Sequence, residues 1–127
     1  MKHSKITFLA QLIAASLLLL AAYSKFVSAP ESVEMFNTLK MEPVGRYLAA
    51  VIELTAALLL LSPFAALGSL LAVAMMCGAI LAHTTRIGFD VQGDGGMLVA
   101  MLACVLLCSS YVLYTRRKEL PIVGSTL

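Results

Sequence analysis

The sequence contains few charged residues and few cysteines. Only 13% of its 127 residues are Asp, Glu, Lys or Arg, whereas an ordinary soluble domain has about 25%. Apolar residues make up 61% of the chain, against about 45–50% in such a domain. This composition excludes a soluble globular domain and a disordered chain. The net charge of +2 is too small and too scattered for a nucleic-acid-binding protein, and three cysteines in apolar runs do not form a secreted disulfide framework.

Four apolar segments are long enough to cross a membrane, which takes about 20 residues. The uncharged stretch over residues 54–82 is too long for one span, and we expect it to break at Ser62-Pro63 because proline disfavours helix at the residue before it. The two helices on either side of this break form a tight hairpin. The four predicted spans are residues 6–23, 43–61, 64–84 and 97–114.

A shorter helix is predicted between the first two spans, over residues 30–40. Val33, Phe36 and Leu39 recur near one face of it, and two glutamates lie near its start. This pattern is typical of an amphipathic helix at the membrane interface. The predicted fold class is therefore all-α: a polytopic membrane protein with a bundle of four transmembrane helices, a short interfacial helix between the first two, and a single domain over residues 1–127.

The first span has one alternative interpretation, a cleaved signal peptide with Lys2 and Lys5 as its basic start. Its apolar run is longer than the usual length of about 7–15 residues, and no clear small-x-small cleavage site precedes a polar segment. We therefore expect a retained helix.

Basic residues next to the spans predict the orientation, because Lys and Arg in short flanks remain cytoplasmic. With four spans, both termini lie on the side of the Ser62-Pro63 turn. That side carries five basic residues, Lys2, Lys5 and the cluster Arg116-Arg117-Lys118, and the other side carries four: Lys25, Lys40, Arg46 and Arg86. The counts are nearly equal, so the prediction rests on the cluster directly after the last span. We predict a multi-pass protein of a bacterial inner membrane, surrounded by the lipid bilayer, with both termini in the cytoplasm.

Glu53 lies near the middle of the second predicted span. A carboxylate at that depth costs about 2.5–3.5 kcal/mol and should face protein or water. Small residues surround it on the helical wheel, as expected at a close helix contact. Up-and-down topology brings four further polar residues toward the same end of the bundle. The candidate ligand-binding or intramembrane polar cluster is Glu53, Lys25, His83, Arg46 and Arg86.

Each member of this cluster also has a simpler interpretation. The three bases can snorkel to the lipid headgroups, and a histidine at a helix end is often only a hydrogen-bonded interfacial group. Glu53 can form a structural ion pair with Lys25 or with Arg46 that fixes helix register. No catalytic residue is identified by these patterns.

Other candidate motifs are interpreted as structural. Cys104 and Cys108 continue a seam of small residues, and Cys77 lies within an apolar span, so all three thiols are expected to be buried packing groups. The acidic loop over residues 90–95 lacks the glutamate that would complete a calcium loop, since Met101 stands there. We interpret the loop as a turn with a helix cap at Asp94-Gly95-Gly96, and we assign no metal site.

Four short motifs resemble the DoxX-like family of small four-span membrane proteins. The resemblance covers nearly the whole chain, and Lys25, Glu53 and His83 match polar positions of that family. The C-terminal segment departs from the pattern, because Arg116-Arg117-Lys118-Glu119-Leu120-Pro121 replaces a glycine-rich stretch. The motifs are Tyr23-Ser24-Lys25-Phe26, Pro43-Val44-Gly45-Arg46-Tyr47-Leu48, Val51-Ile52-Glu53-Leu54 and Gly78-Ala79-Ile80-Leu81-Ala82-His83.

The resemblance implies an association with redox chemistry, quinones or oxidative stress, since relatives include a subunit linked to thiosulfate:quinone oxidoreduction. The leading hypothesis is an accessory or subunit of such a system that binds a small apolar molecule, with quinone as the ligand implied by the family, and that is not an enzyme alone. A membrane or soluble redox partner and a homo-oligomer are compatible with this hypothesis. The alternatives are a quinone- or thiosulfate-linked oxidoreductase subunit in which Glu53 and His83 relay protons, a small-molecule or lipid transporter, and a structural or assembly factor.

Overall fold

The computed structural model describes residues 5–127, and the fold of this part is all-α. Two 3-10 turns, Arg117–Glu119 and Gly124–Thr126, follow the last helix. A π-helical turn, His83–Ile87, extends the fourth helix beyond its predicted end. The helices are α1 (Lys5–Phe26), α2 (Pro30–Thr38), α3 (Val44–Leu60), α4 (Ala65–Ala82) and α5 (Met97–Arg116).

The four longer helices form a square bundle. α1 packs against α3 and α5, and α4 packs against the same two helices. The turn between α3 and α4 lies at the end of the bundle where α1 begins and α5 finishes, which we call the terminal end. The opposite end, which carries α2 and the loop over residues 88–96, is called the cavity end.

Three helical segments have the length and composition of a membrane span: Lys5–Phe26, Ala65–Ile87 and Met97–Glu119. The chain is therefore a multi-pass membrane protein by these criteria. α3 has 17 residues, which at 1.5 Å per residue gives about 26 Å, shorter than the hydrocarbon core of about 30 Å. The prediction of four spans thus holds for three helices by length, and it remains a prediction for α3.

The inward face predicted for α3 is confirmed. Glu53 and the small residues around it are buried, whereas Tyr47, Val51 and Leu58 on the other side of the helix are exposed. Small side chains in the core let the helix backbones approach closely. The buried apolar core residues with almost no exposed surface include Ala14, Ala15, Leu18, Ala56, Ala57, Leu60, Ala72, Met76 and Val112.

α2 is folded onto the cavity end of the bundle. Its Met35 and Phe36 side chains are buried and pack with Ala49 and Val91. The buried face therefore includes Phe36, as predicted, but it is centred on Met35 and Phe36 because α2 packs against protein rather than lying alone at an interface.

Two polar contacts hold α2 in this place. The Ser24 and Ser32 hydroxyl oxygens lie 2.7 Å apart and share a hydrogen bond between α1 and α2. Gln92 Nε2 donates to Glu34 Oε2 at 2.7 Å, which joins α2 to the loop before α5.

Asp94 organises the start of α5, as the predicted turn and cap require. Its carboxylate accepts hydrogen bonds from the backbone N–H groups of Val91, Gly96 and Leu98. These bonds hold the pKa of the Asp94 carboxyl below its ordinary value. Asp90 likewise accepts from the backbone N–H of Gly95. Both carboxylates of the loop thus bind its backbone, which agrees with a turn.

Gln11 connects three helices at the terminal end. Its Nε2 donates to the Leu60 carbonyl oxygen at 2.7 Å, and its Oε1 accepts from Arg116 Nη1 at 3.0 Å. The Leu60 carbonyl is one of the last in α3 and has no partner within that helix. Gln11 is buried, so its amide satisfies this carbonyl where water is excluded.

The α3–α4 hairpin depends on Gly68. A Cβ atom at this position would lie 2.7 Å from the Leu60 backbone nitrogen and 2.7 Å from Leu59 Cβ. Only glycine therefore allows the two helices to approach so closely. At Gly78, on the same helix, a Cβ would meet nothing within 4 Å.

We predict that Gly68→Ala destabilises the bundle by about 1–3 kcal/mol, the usual cost of overpacking. Gly78→Ala is the matched control and should be neutral or stabilising by up to about 1 kcal/mol, because alanine favours helix over glycine. Thermal unfolding in detergent measures both variants. Equal stability of the two would contradict the close contact at Gly68.

Candidate functional site

A cavity of about 390 Å³ lies at the cavity end of the bundle. Side chains from α1, α2, α3, α4 and α5 line it, together with two residues of the π-helical turn. Most of the lining is apolar. The ionisable side chains that reach it are Lys25, Glu53 and His83.

Lys25 and Glu53 form an ion pair across α1 and α3. Lys25 Nζ lies 2.7 Å from Glu53 Oε1, and the two side chains are only 13% and 1% exposed. Such a pair satisfies two charges that would otherwise be costly to bury. Of the two pairings considered for Glu53, the structure contains the one with Lys25.

Arg46 has a different role from the one considered for it. Its guanidinium forms an ion pair with Glu42, with Nε 2.9 Å from both carboxylate oxygens and Nη2 2.7 Å from Oε1. Nη1 also donates to the backbone carbonyl of Lys25. Arg46 is buried, but it lies beside the cavity rather than in its lining. It therefore holds the end of α1 from which the Lys25 side chain extends.

His83 is positioned by the π-helical turn. Its Nδ1 donates to the Gly88 carbonyl at 3.0 Å, and the Gly88 N–H donates back to the His83 carbonyl at 2.8 Å. Gly88 closes this turn with φ of 91°, a conformation that favours glycine. A carbonyl only accepts, so the proton of a neutral His83 is on Nδ1 and Nε2 is left as an acceptor. His83 is 4% exposed.

Arg86 lies apart from the other predicted residues. It is exposed on the π-helical turn and is not part of the cavity lining. The structure thus brings Lys25, Glu53 and His83 to one cavity, places Arg46 next to it through the Lys25 carbonyl, and leaves Arg86 outside.

The lining offers one set of polar groups and a large apolar surface. The Lys25 ammonium can donate a hydrogen bond, and Glu53 and neutral His83 can accept one. Four of the seven methionines of the chain also line the cavity: Met35, Met41, Met75 and Met76. A volume of 390 Å³ falls within the range of about 300–1,000 Å³ usual for small-molecule sites. The arrangement suits a small apolar molecule with a polar head.

Sequence reasoning missed several participants. Glu42 precedes α3 in the chain, so a wheel drawn for that helix does not include it. Phe36 was recognised as apolar, but its position over the cavity depends on how α2 docks. In the sequence, a methionine that lines a cavity cannot be told from a methionine that packs in the core.

The cysteines show one departure from the prediction. Cys104 and Cys108 are partly buried, and Cys108 packs against the core. Cys77, however, is exposed on the outside of α4, so the expectation that it is a buried packing group was wrong. Its neighbour Gly78 is exposed as well, because this part of α4 has no helix packed over it.

Within residues 5–127, no group of three or more His, Cys, Asp or Glu side chains is arranged to hold a metal ion. The acidic side chains of the 88–96 loop bind backbone N–H groups, as described above.

Comparison with known protein families shows which family the chain belongs to. The profile of the DoxX-like family matches residues 9–110. The chain belongs to the DoxX-like family. This match includes all three ionisable residues of the cavity lining. Comparisons of the DoxX-like protein with curated proteins and with solved structures gave no significant match.

We predict that Lys25→Met destabilises the protein by about 3–5 kcal/mol, because it leaves the Glu53 carboxylate buried without its partner. Glu53→Gln should cost much less, since the amide oxygen can still accept from Lys25 and the partly exposed ammonium can move toward the surface. The double variant should recover most of the stability lost in Lys25→Met.

Thermal unfolding in detergent of the two single variants and the double variant forms a double-mutant cycle that measures the coupling. Additive effects in this cycle would show that the two charges are not coupled in the folded protein.

Proposed function

We propose that this DoxX-like protein is an integral inner-membrane accessory or subunit of a redox, quinone or stress-response system, and that it binds a small apolar molecule at Lys25, Glu53 and His83. The observation that supports the proposal best is the combination of a 390 Å³ apolar cavity with three polar side chains gathered in its wall. Both partners of the ion pair line the cavity, so the Lys25 ammonium is available to a ligand.

A quinone fits the chemistry of this cavity. Its ring is apolar, and its carbonyl oxygens can accept a hydrogen bond from the Lys25 ammonium. The reduced form carries hydroxyl groups, which can donate to His83 Nε2. One site can therefore hold both redox forms of the head, with different partners for each.

The packing at the terminal end favours binding over transport. There the core is filled by residues such as Leu60 and Val112, which have almost no exposed surface. The Gln11 contacts with Leu60 and Arg116 join the helices beyond that point. The cavity thus ends inside the bundle, which supports a binding site with access from one end or side.

Ligand binding can be tested with Glu53→Gln and decylubiquinone. We expect the dissociation constant of this quinone to rise by about tenfold or more, since a hydrogen bond from a charged group contributes about 1.5–3 kcal/mol and Glu53 orients the Lys25 ammonium. The measurement is quinone binding to protein in nanodiscs, beside thermal stability of the same samples.

Two controls accompany this experiment. Glu31→Gln makes the same chemical change on α2, outside the cavity lining, and should leave binding unchanged. His83→Ala removes the second acceptor and should weaken binding of the quinol more than of the quinone. Equal affinity of the wild type and Glu53→Gln would contradict a ligand site at Glu53, and native mass spectrometry of gently extracted protein would then identify what the cavity holds.

We also propose that α3 crosses the membrane as a fourth span and that both termini are cytoplasmic. Five of the seven acidic residues lie in the segments at the cavity end, and the cluster Arg116-Arg117-Lys118 lies at the terminal end. Basic flanks remain in the cytoplasm, which places the cavity in the outer half of the membrane.

The orientation predicts which introduced thiols can be labelled in intact cells. In a variant with Cys77, Cys104 and Cys108 replaced by alanine, Ser125→Cys should resist a membrane-impermeant thiol reagent, and Asn37→Cys on α2 should react. Both positions are exposed, so the pair is matched in accessibility. Labelling of Ser125→Cys with protection of Asn37→Cys would reverse the orientation.

A further inference from the structure

The contact between α3 and α4 changes along its length. Near the turn, a Cβ at Gly68 would be 2.7 Å from the backbone of α3. Seven and eleven residues later on the same face of α4, Met75 and Ala79 line the cavity. The two helices are therefore in close contact at the terminal end and leave open space toward the cavity end.

The cavity occupies the separated part of this interface. On α3, Leu48, Ile52 and Leu59 share one stripe, with spacings of four and seven residues. Leu59 meets α4 at Gly68, whereas Leu48 and Ile52 line the cavity. On α4, the stripe that begins at Gly68 continues through Met75 and Ala79, which also line the cavity.

This space reaches the outer surface of the bundle. Leu48 is 57% exposed although it lines the cavity, and Ala74 and Gly78 on the facing helix are exposed lining residues as well. The exposed side chains at this gap are apolar: Met41 lines the cavity and is 49% exposed, and Leu81, which follows Gly78 by three residues on α4, is 63% exposed. A gap bordered by exposed apolar side chains faces the acyl chains of the bilayer. We call it the side opening, defined by Leu48, Ile52, Ala74 and Gly78.

The path toward water is covered by α2. Met35 and Phe36 are buried where they contact the cavity. The Ser24–Ser32 and Glu34–Gln92 hydrogen bonds hold α2 to the bundle on two sides. A ligand that entered from the water would have to break these contacts, whereas the side opening requires no such change.

We propose that the ligand of this cavity enters and leaves from within the bilayer, through the side opening between α3 and α4. The occupant is a single-tailed amphiphile. Its compact head meets Lys25 and His83, and its apolar tail extends through the side opening into the lipid. This proposal rests on the proposed function, and it adds the route and the shape of the ligand.

The route can be measured with a fluorescent reporter, because the chain has no tryptophan. Phe36→Trp places one indole at the cavity wall, and decylubiquinone delivered from lipid vesicles quenches it on binding. Gly78→Phe and Ala74→Phe each put a ring into the side opening. Both should slow association and dissociation of the quinone together by about tenfold or more, as a blocked path does. Leu58→Phe, on the outer face of α3 away from the cavity, should change neither rate.

A second variant tests the path past α2. Ser24→Cys and Ser32→Cys, made together in the background without native cysteines, can form a disulfide, because the two hydroxyl oxygens are 2.7 Å apart. This bond keeps α2 closed. The proposal expects the same quinone rates in the oxidised and reduced forms of this variant.

The outcomes separate the two proposals. In one outcome, quinone quenches the parent reporter, its rates fall when the α2 disulfide is oxidised, and the phenylalanine variants keep the parent rates. That outcome overturns the side route and favours entry from water. Faster dissociation alone in both phenylalanine variants means that the rings only fill the cavity, and it also overturns the side route. Absence of quenching in the parent reporter overturns the proposed function, and the route with it.

Discussion

A carboxylate buried in an apolar helix bundle needs a positive partner, and the pairing of Glu53 with Lys25 is the contact on which the rest of the arrangement depends. It joins the middle of α3 to the end of α1 at one register. Arg46 strengthens the same junction, since its guanidinium holds the Lys25 carbonyl while Glu42 balances its charge. Two ion pairs within the chain thus fix the position of the cavity wall.

The inward orientation of Glu53 could be predicted because the helix supplies its own signal. Alanines surround the glutamate on one side, and large apolar residues occupy the other, so only one face can pack closely. The convergence of Lys25 and His83 followed from the up-and-down order of the helices. These inferences required only regular helices, and in α1 and α3 the helices are regular.

The positions of Arg46 and Arg86 could not be predicted in the same way. Arg46 faces the bundle as the wheel indicates, but its partner Glu42 lies before the helix, where periodicity gives no direction. Arg86 follows His83 by three residues, which places it nearby on an α-helix. The π-helical turn changes the rotation per residue, and Arg86 lies on the surface instead. The cavity was equally hidden, because it depends on how far α3 and α4 separate and on where α2 docks.

The methionines in the cavity wall have a consequence for selectivity. Lys25, Glu53 and His83 are held by ion pairs or backbone hydrogen bonds, so the polar end of the cavity has a fixed shape. Methionine is unbranched and polarisable, and it adapts to the molecule beside it. With Met35, Met41, Met75 and Met76 around the apolar part, the protein should discriminate strictly among head groups and tolerate wide variation in tail length and branching.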